Sequence, residues 1–385
     1  MIRGPNKEAK RIRHIMHSAI SGTTDRLNIS TPGRICLFGE HQDYLHLPVI
    51  PCAISLRLTL EGRRRTDSMV QIDLPDVRSH ERFPLDRTMP YTKERDYFRS
   101  AINVLTRHGY TFSGGFECVI RGSIPINAGT SSSSALVVSW INFLTRMSDQ
   151  AKPVSPDLCG RYAYEAEVLE FHEPGGMMDQ YSTAVGGVSF ISFHPALEIQ
   201  PIDVRLETFV LGDSRRPKDT KYILSHVKNQ VLEIVAHLSL EHPKFSLHDM
   251  RLEGLEQWKQ FLSADQFMLL EGTIKNHRIT LEAKELLTSK SLDGRRLGEL
   301  LTRHQSILRD ILKISTPKID RMLDAAMDAG AYGGKINGSG GGGCMFVYAP
   351  ENPERIAEAI ERSGGTSSIV RMDSGTRVEP GKVAD

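Results

Sequence analysis

Between Leu27 and Leu60 apolar positions alternate with others, and β-branched residues lie on both sides of a polar centre. This pattern predicts two strands around a loop. A further strand is predicted at Gly115 to Arg121, leading through the turn SIPINAGTSSSS into ALVVSWINFLTRM, which has helical length and spacing. A second helix is predicted over Pro156 to Phe171, followed by the turn EPGGMMDQ and a strand from Gly187 to Ser192. From about Lys221 to Ala329 the residues Leu, Glu, Lys and Arg recur at helical spacing. Helices are predicted there near 222–238, 251–262, 265–287, 297–313 and 317–329. A glycine-rich loop then leads into the strand CMFVYA and a helix from Pro353. The shift in composition near residue 203 divides the chain into an N-terminal extension over 1–27, one domain over 28–203 and a second over 204–385. No internal repeat interrupts this order.

The 385 residues are 39% hydrophobic and 25% charged, which excludes disordered, collagen-like and coiled-coil chains. The net charge of +1 provides no global field for holding nucleic acid or an anionic membrane, so neither is expected as a partner. No run approaches the roughly 18 apolar residues of a membrane span. The first residues, MIRGPNKEAKRIRHIMHS, are basic and polar without the apolar stretch of a secretory signal. They are expected to form a loosely ordered extension, and a cytoplasmic protein is expected. Five cysteines without CxxC spacing read as reduced, mostly buried thiols. The histidines show no spacing that suggests zinc.

Of the 32 glycines, many bunch in loops. Between a predicted strand and helix lies PINAGTSSSSA, Pro125 to Ala135, whose small residues let backbone N–H groups and a helix N-terminus face an anion. Alone, it also reads as a capped serine-rich turn. It is not GxxxxGK[ST]. The second run, KINGSGGGGC from Lys335 to Cys344, holds five glycines within six residues. Such a run costs folding entropy unless backbone must approach closely, and its position between helix and strand argues against a mobile linker. A third, polar loop is GEHQDY, Gly39 to Tyr44.

In chain order, PGRICLFGEHQDY, PINAGTSSSSAL and KINGSGGGGC resemble the three motifs of the GHMP small-molecule kinases, named for galactokinase, homoserine kinase, mevalonate kinase and phosphomevalonate kinase. GEHQDY and GGMMDQ resemble the galactokinase branch, while the third motif is nearer the mevalonate kinase form. The chain departs from the galactokinase pattern at Leu45, His46 and Leu47, where NGG is usual, and at Gly175, where Cys is usual. The resemblance implies an α+β fold of two domains, the first like ribosomal protein S5 domain 2 and the second ferredoxin-like, with the site between them. It implies ATP as co-substrate, bound by Gly129, Thr130, Ser131, Ser132, Ser133 and Ser134. It further implies Mg2+ held by Ser133 and Glu167, Asp179 as the base, and Arg34 beside it. Glu40, His41 and Asp43, with Gly176, would face the acceptor; their acceptors and possible donor suit the hydroxyl array of a neutral sugar. The same carboxylates could instead cap a turn, and Tyr44 has no assigned role. Glu165 and Glu170 are expected on a solvated face or in helix pairings. The stretch Gly212 to Leu224 reads either as a border of the substrate site or as a solvated basic turn around Arg215, Arg216 and Lys218. The reaction expected is ATP-dependent phosphorylation of a galactose-like sugar, at its anomeric hydroxyl. The alternatives are a mevalonate or other polyol kinase and a non-catalytic sugar sensor.

Overall fold

A computed structural model describes residues 26–173, 175–216 and 220–380. The expected extension therefore lies outside the described residues, apart from Arg26 and Leu27, which open the first strand; Lys218 also lies outside. The strands are β1 (Arg26–Phe38), β2 (Ile50–Arg64), β3 (Met69–Leu74), β4 (Ser79–Pro84), β5 (Phe116–Gly122), β6 (Val188–Ser192) and β7 (Glu198–Ile202). They continue as β8 (Phe209–Asp213), β9 (Gly333–Ile336), β10 (Cys344–Tyr348), β11 (Thr366–Val370) and β12 (Arg377–Glu379). The α-helices are α1 (Tyr97–Arg107), α2 (Ser132–Met147), α3 (Pro156–Glu167), α4 (Met178–Val185) and α5 (Thr220–Glu241). After them come α6 (Ala264–Leu287), α7 (Gly294–Asp310), α8 (Pro317–Asp328) and α9 (Pro353–Arg362). None of the described helices is long and apolar enough to cross a membrane.

Two sheets organise the chain. The first has the order β12-β1-β2-β5-β3-β4, with β6 joined to β2 and β7 to β6. Its β3–β5 pair is parallel, as expected where a connection must cross over, and its other pairs are antiparallel. The helices α1 to α4 pack with this sheet around Trp140, which stacks on Phe143 at 5.5 Å and donates its indole N–H to the Phe98 carbonyl at 3.1 Å. The second sheet, β11-β8-β10-β9, is wholly antiparallel and packs against α7, α8 and α9. One apolar cluster runs from Ile35, Leu37 and Phe38 of β1 into Phe209, Phe346 and Leu300 of the second half, so the two halves share a core.

Three expectations change. The helix expected over 251–262 is two 3-10 segments, Leu252–Gly254 and Glu256–Phe261. Its apolar residues, Leu252, Leu255, Trp258 and Phe261, recur every third position, which is the period of a 3-10 helix. The helix expected to reach Phe171 ends at Glu167, followed by a 3-10 turn over Leu169–Phe171 that closes at His172 in the left-handed region. Finally, the last described residues leave the second half. Arg371 accepts from Ser55, Met372 bridges to Ile54, Ser374 bridges to Gly186, and β12 pairs with β1.

Candidate active site

Three loops meet where the sheets adjoin. The first follows a bulge at Pro32/Gly33 in β1. A Cβ on Gly33 would lie 2.9 Å from the Thr130 carbonyl, so only glycine lets β1 approach the second loop closely enough for Arg34 N–H to reach that carbonyl at 3.1 Å. The Arg34 side chain, 3% exposed, then grips Asp179 with two parallel bonds, Nε to Oδ1 at 2.9 Å and Nη2 to Oδ2 at 2.6 Å. Its Nη1 donates to the Gly129 carbonyl. Burial lowers the pKa of Arg34, but the charge and hydrogen bond of Asp179, with smaller contributions from Cys36 and Glu40, together outweigh it and hold the guanidinium above its ordinary value.

Asn337 of the third loop joins all three: its Oδ1 accepts from Cys36 N–H at 2.9 Å, and its Nδ2 donates to the Gly129 carbonyl at 2.8 Å. The glycines of the third loop serve this docking. Gly343, at φ 67°, would place a Cβ 2.6 Å from the Ala128 carbonyl. Arg216, from the uncertain stretch after Gly212, accepts from Gly343 N–H at 3.0 Å through its backbone.

Gly129 (φ 90°) and Ser131 (φ 61°) turn the second loop into α2, whose first residues carry no side-chain cap. The N–H groups of Ser132, Ser133 and Ser134 thus begin a 16-residue helix with their dipole ends toward the cleft. Ser131 Oγ is buried without a partner. Across from it lies Glu167 at the end of α3, 7% exposed, accepting from Gln180 Nε2 at 2.7 Å. Burial raises its pKa, against the hydrogen bonds of Ser133, Gln180 and Ser134. Its neighbours Glu165 and Glu170 are partly buried in side-chain pairs, Glu165 with His108 and Arg161 and Glu170 with Arg107.

The expected acceptor residues Glu40, His41, Asp43 and Gly176 all line one cleft, each with different partners. Asp43 lies at the cleft with Oδ1 accepting from Tyr44 N–H at 2.9 Å and Oδ2 from Met178 N–H at 3.4 Å. Burial and the nearby Asp179 charge lift its pKa to about 6. Gly176 leaves room for this carboxylate: a Cβ there would fall 1.9 Å from Asp43 Oδ2. His41 is pushed down to about 4 by burial and is neutral at pH 7. A carbonyl can only accept, so Nε2–H donates to Ser339 O at 3.0 Å, and Nδ1 accepts from Tyr44 O–H at 3.0 Å. That gives Tyr44 a role: it fixes the His41 ring. Glu40 has a partner the sequence did not indicate. It touches the cleft but is 1% exposed, and its Oε1 accepts from Lys335, which is wholly buried. A carboxylate so deep requires a cation. Lys335, Asn337 and Gln180 were not assigned from sequence; the signal for Lys335 was a lysine inside an otherwise apolar strand, where it must find an acid.

Comparison with known proteins agrees with this geometry. The chain matches "GHMP kinases N terminal domain" over residues 96–187, "GHMP kinases C terminal" over 283–366 and "Galactokinase galactose-binding signature" over 17–64. It is 28% identical to mevalonate kinase of Thermococcus gammatolerans over 367 residues, 92% of this chain and 98% of that one. It is equally 28% identical to human galactokinase over 371 residues, 90% of each. Among solved structures, Lactococcus lactis galactokinase complexed with galactose superposes with a TM-score of 0.82 at 21% identity, covering 96% of this chain and all of that one. Methanococcus jannaschii mevalonate kinase gives 0.69 at 20% identity, covering 92% and 99%. The three matched segments carry, in chain order, the three loops that meet at Gly129 and Asn337, and the chain belongs to the GHMP kinases.

Proposed function

We propose that this kinase transfers the γ-phosphoryl group of ATP to a hydroxyl, the anomeric one, of a galactose-like neutral sugar. The observation that carries the reading is the pairing of two carboxylates at the acceptor end, Asp43 lodged against Gly176 and Asp179 clamped by Arg34. Two acids beside a cation already committed to one of them suit adjacent neutral hydroxyls and oppose a carboxylate substrate such as mevalonate. The match of residues 17–64 to the galactose-binding signature supports the same choice. A coupled ADP-release assay over galactose, its epimers, pentoses, uronic acids and mevalonate tests it. Turnover of mevalonate with no neutral sugar accepted would overturn the substrate and leave the kinase. A cytoplasmic setting suits an enzyme with five free buried thiols.

In this reading the phosphates lie on the N–H groups of Gly129 to Ser134, and the acceptor O–H points at Asp179. As the new O–P bond forms, the hydroxyl proton passes to Asp179 and ADP leaves with the electron pair of the broken bond. Each Asp179 oxygen accepts one Arg34 N–H, so the carboxylate keeps its orientation and a lone pair for that proton. The cleft volume of about 210 Å3 is below the roughly 300–1,000 Å3 of sites that enclose whole ligands. It suits a monosaccharide and the terminal phosphates, with the nucleotide base at the mouth.

The donor set around α2 fits a hard cation. Glu167 is buried with an amide and hydroxyls as its partners, and the Gln180 Oε1 is buried without a partner. Ser133 and Glu167 would hold Mg2+, which neutralises phosphate charge when bound. Glu167→Gln and Ser133→Ala should each raise the Mg2+ concentration needed for half-maximal rate by about tenfold. Because both would act on one ion, the double variant should lose less than the product of the two. An unchanged metal titration in both single variants would exclude them.

A second prediction concerns pH. Asp43, with a pKa of about 6, must be ionised to accept two sugar O–H bonds. Sugar kcat/KM should fall below pH 6 by about tenfold per unit, and Asp43→Asn should flatten that limb at a rate lowered about tenfold or more. Stability runs the other way. A carboxyl whose pKa is raised by folding contributes most below its unfolded value and loses that contribution as pH rises through 6. The Tm of Asp43→Asn relative to the parent should therefore be higher at pH 8 than at pH 4. A parallel pH profile for both proteins would contradict the assignment.

A further inference from the structure

His41 and Asp43 line the cleft, whereas Gln42 between them turns away from it and is 1% exposed. Its side chain meets α6 of the second half. A carbonyl can only accept, so Nε2–H donates to Thr273 O at 3.3 Å, which leaves Oε1 to accept from Thr280 Oγ1 at 3.4 Å. The Thr280 hydroxyl shares its single hydrogen with Asn276 O at 3.0 Å. Thr273, Asn276 and Thr280 follow the i, i+3, i+7 spacing of one helix face, and all three are buried. A buried polar seam of this kind is costly unless a polar group from outside the helix meets it, and Gln42 is such a group. The main chain of Gln42 is equally committed. Its N–H donates to Gly39 O at 3.1 Å, and its carbonyl accepts from Leu45 N–H at 3.0 Å and from Leu47 N–H at 3.1 Å. These bonds frame the 3-10 turn Asp43–Leu45.

We propose that Gln42 is a positioning residue that ties the acceptor loop to α6 and so sets where Asp43, the next residue, meets the sugar. One residue holds the turn through its main chain and the helix through its side chain, so a shift of either element is passed to the other. An apolar contact would tolerate sliding along the helix. A donor and an acceptor aimed at Thr273 and Thr280 fix the position along its axis, because hydrogen bonds weaken steeply with misalignment. Gln42 lies outside the cleft, and its effect on the reaction passes through Asp43. The kinetic arm of the test rests on the sugar-kinase reading; the exchange arm does not.

The test uses Gln42→Leu, Thr280→Val, Thr280→Ser and the double variant Gln42→Leu/Thr280→Val in the full chain, with galactose and ATP as substrates. Gln42→Leu should raise the galactose KM about tenfold and leave the ATP KM within about twofold. Thr280→Val removes only a hydroxyl and should raise the galactose KM about threefold, while Thr280→Ser, which keeps the hydroxyl, stays within about twofold of the parent. Because both residues act through one contact, the double variant should be no worse than Gln42→Leu alone. Hydrogen exchange of the free enzyme reads the turn directly at Leu45 and Leu47, whose N–H groups are donated to Gln42 O. Exchange over 43–47 should be about tenfold faster in Gln42→Leu and about threefold faster in Thr280→Val, with the strands of the second sheet unchanged. If Gln42→Leu does not fold, Thr280→Val carries both arms. A fall in kcat with both KM values unchanged would mean a merely structural role and overturn the proposal. Multiplying losses in the double variant, or unchanged exchange over 43–47, would overturn it as well. If the parent enzyme turns over no neutral sugar, the functional reading fails, and exchange over 43–47 alone decides whether Gln42 fixes the loop.

Discussion

Asp179→Asn should lower kcat by roughly a thousandfold or more, within the range that positioned proton transfer contributes, while ATP affinity stays within a few-fold. The substitution keeps the shape and one acceptor oxygen but removes the charge that Arg34 clamps from two sides. The N–H groups that open α2 belong to a different element and are untouched. Stability should also fall, since Arg34 is 3% exposed and would lose its anion. Asp179 is itself 31% exposed at the side chain, so water moderates the loss. About 2 kcal/mol is the expected size, visible as a Tm lower by a few degrees. Stopped-flow phosphoryl transfer separates the two effects. A variant that turns over like the parent would remove Asp179 from the chemistry.

Gly176→Ala is the second large effect. The added methyl would sit 1.9 Å from Asp43 Oδ2 and 2.1 Å from its Cγ, so the carboxylate must move. It cannot move without cost, because Tyr44 and Met178 N–H groups hold both oxygens. Displacement by about an ångström at the acceptor should reduce sugar kcat/KM by roughly a hundredfold, with the KM for ATP little changed. Gly175 has nothing within 4 Å of its ideal Cβ, so Gly175→Ala provides the comparison and should cost less than about threefold. Equal losses in the two variants would mean that the loop, and not the Asp43 contact, is at stake.

What the sequence made legible, and what it did not, follows from range of interaction. The loops around Gly129 and Gly338 were readable because glycine and serine runs between strand and helix patterns carry their own local reason, and the Gly39 loop because a polar stretch interrupts two strand patterns. Arg34 and Asp179 came from the resemblance, and the structure brings them within bonding distance across 145 positions of chain. The partner of Glu40 was not legible, because Lys335 lies 295 positions away. The helix α1 and the strands β3 and β4 were not anticipated; in β4, SHERFP, a single buried residue, Phe83, leaves no usable alternation. The 3-10 segments after Arg251 show the opposite case, where a local period of three was present and was taken for the helical one.

The return of residues 371–379 to the first sheet bears on how the protein is made. A chain leaves the ribosome N-terminus first, and domains generally fold as they emerge. Here β1 has β2 on one side at once but gains β12 on the other only after Glu379 has been synthesised. Until then one side of β1 is an open sheet edge, the kind that pairs with other chains. The helix carrying Asp179 waits equally long, since the bridge from Gly186 to Ser374 and the seat of Gly375 against the Ala184 carbonyl close only at that stage. A nascent chain stalled before residue 370 would thus hold nearly all of its core and neither a finished edge nor a braced Asp179 helix.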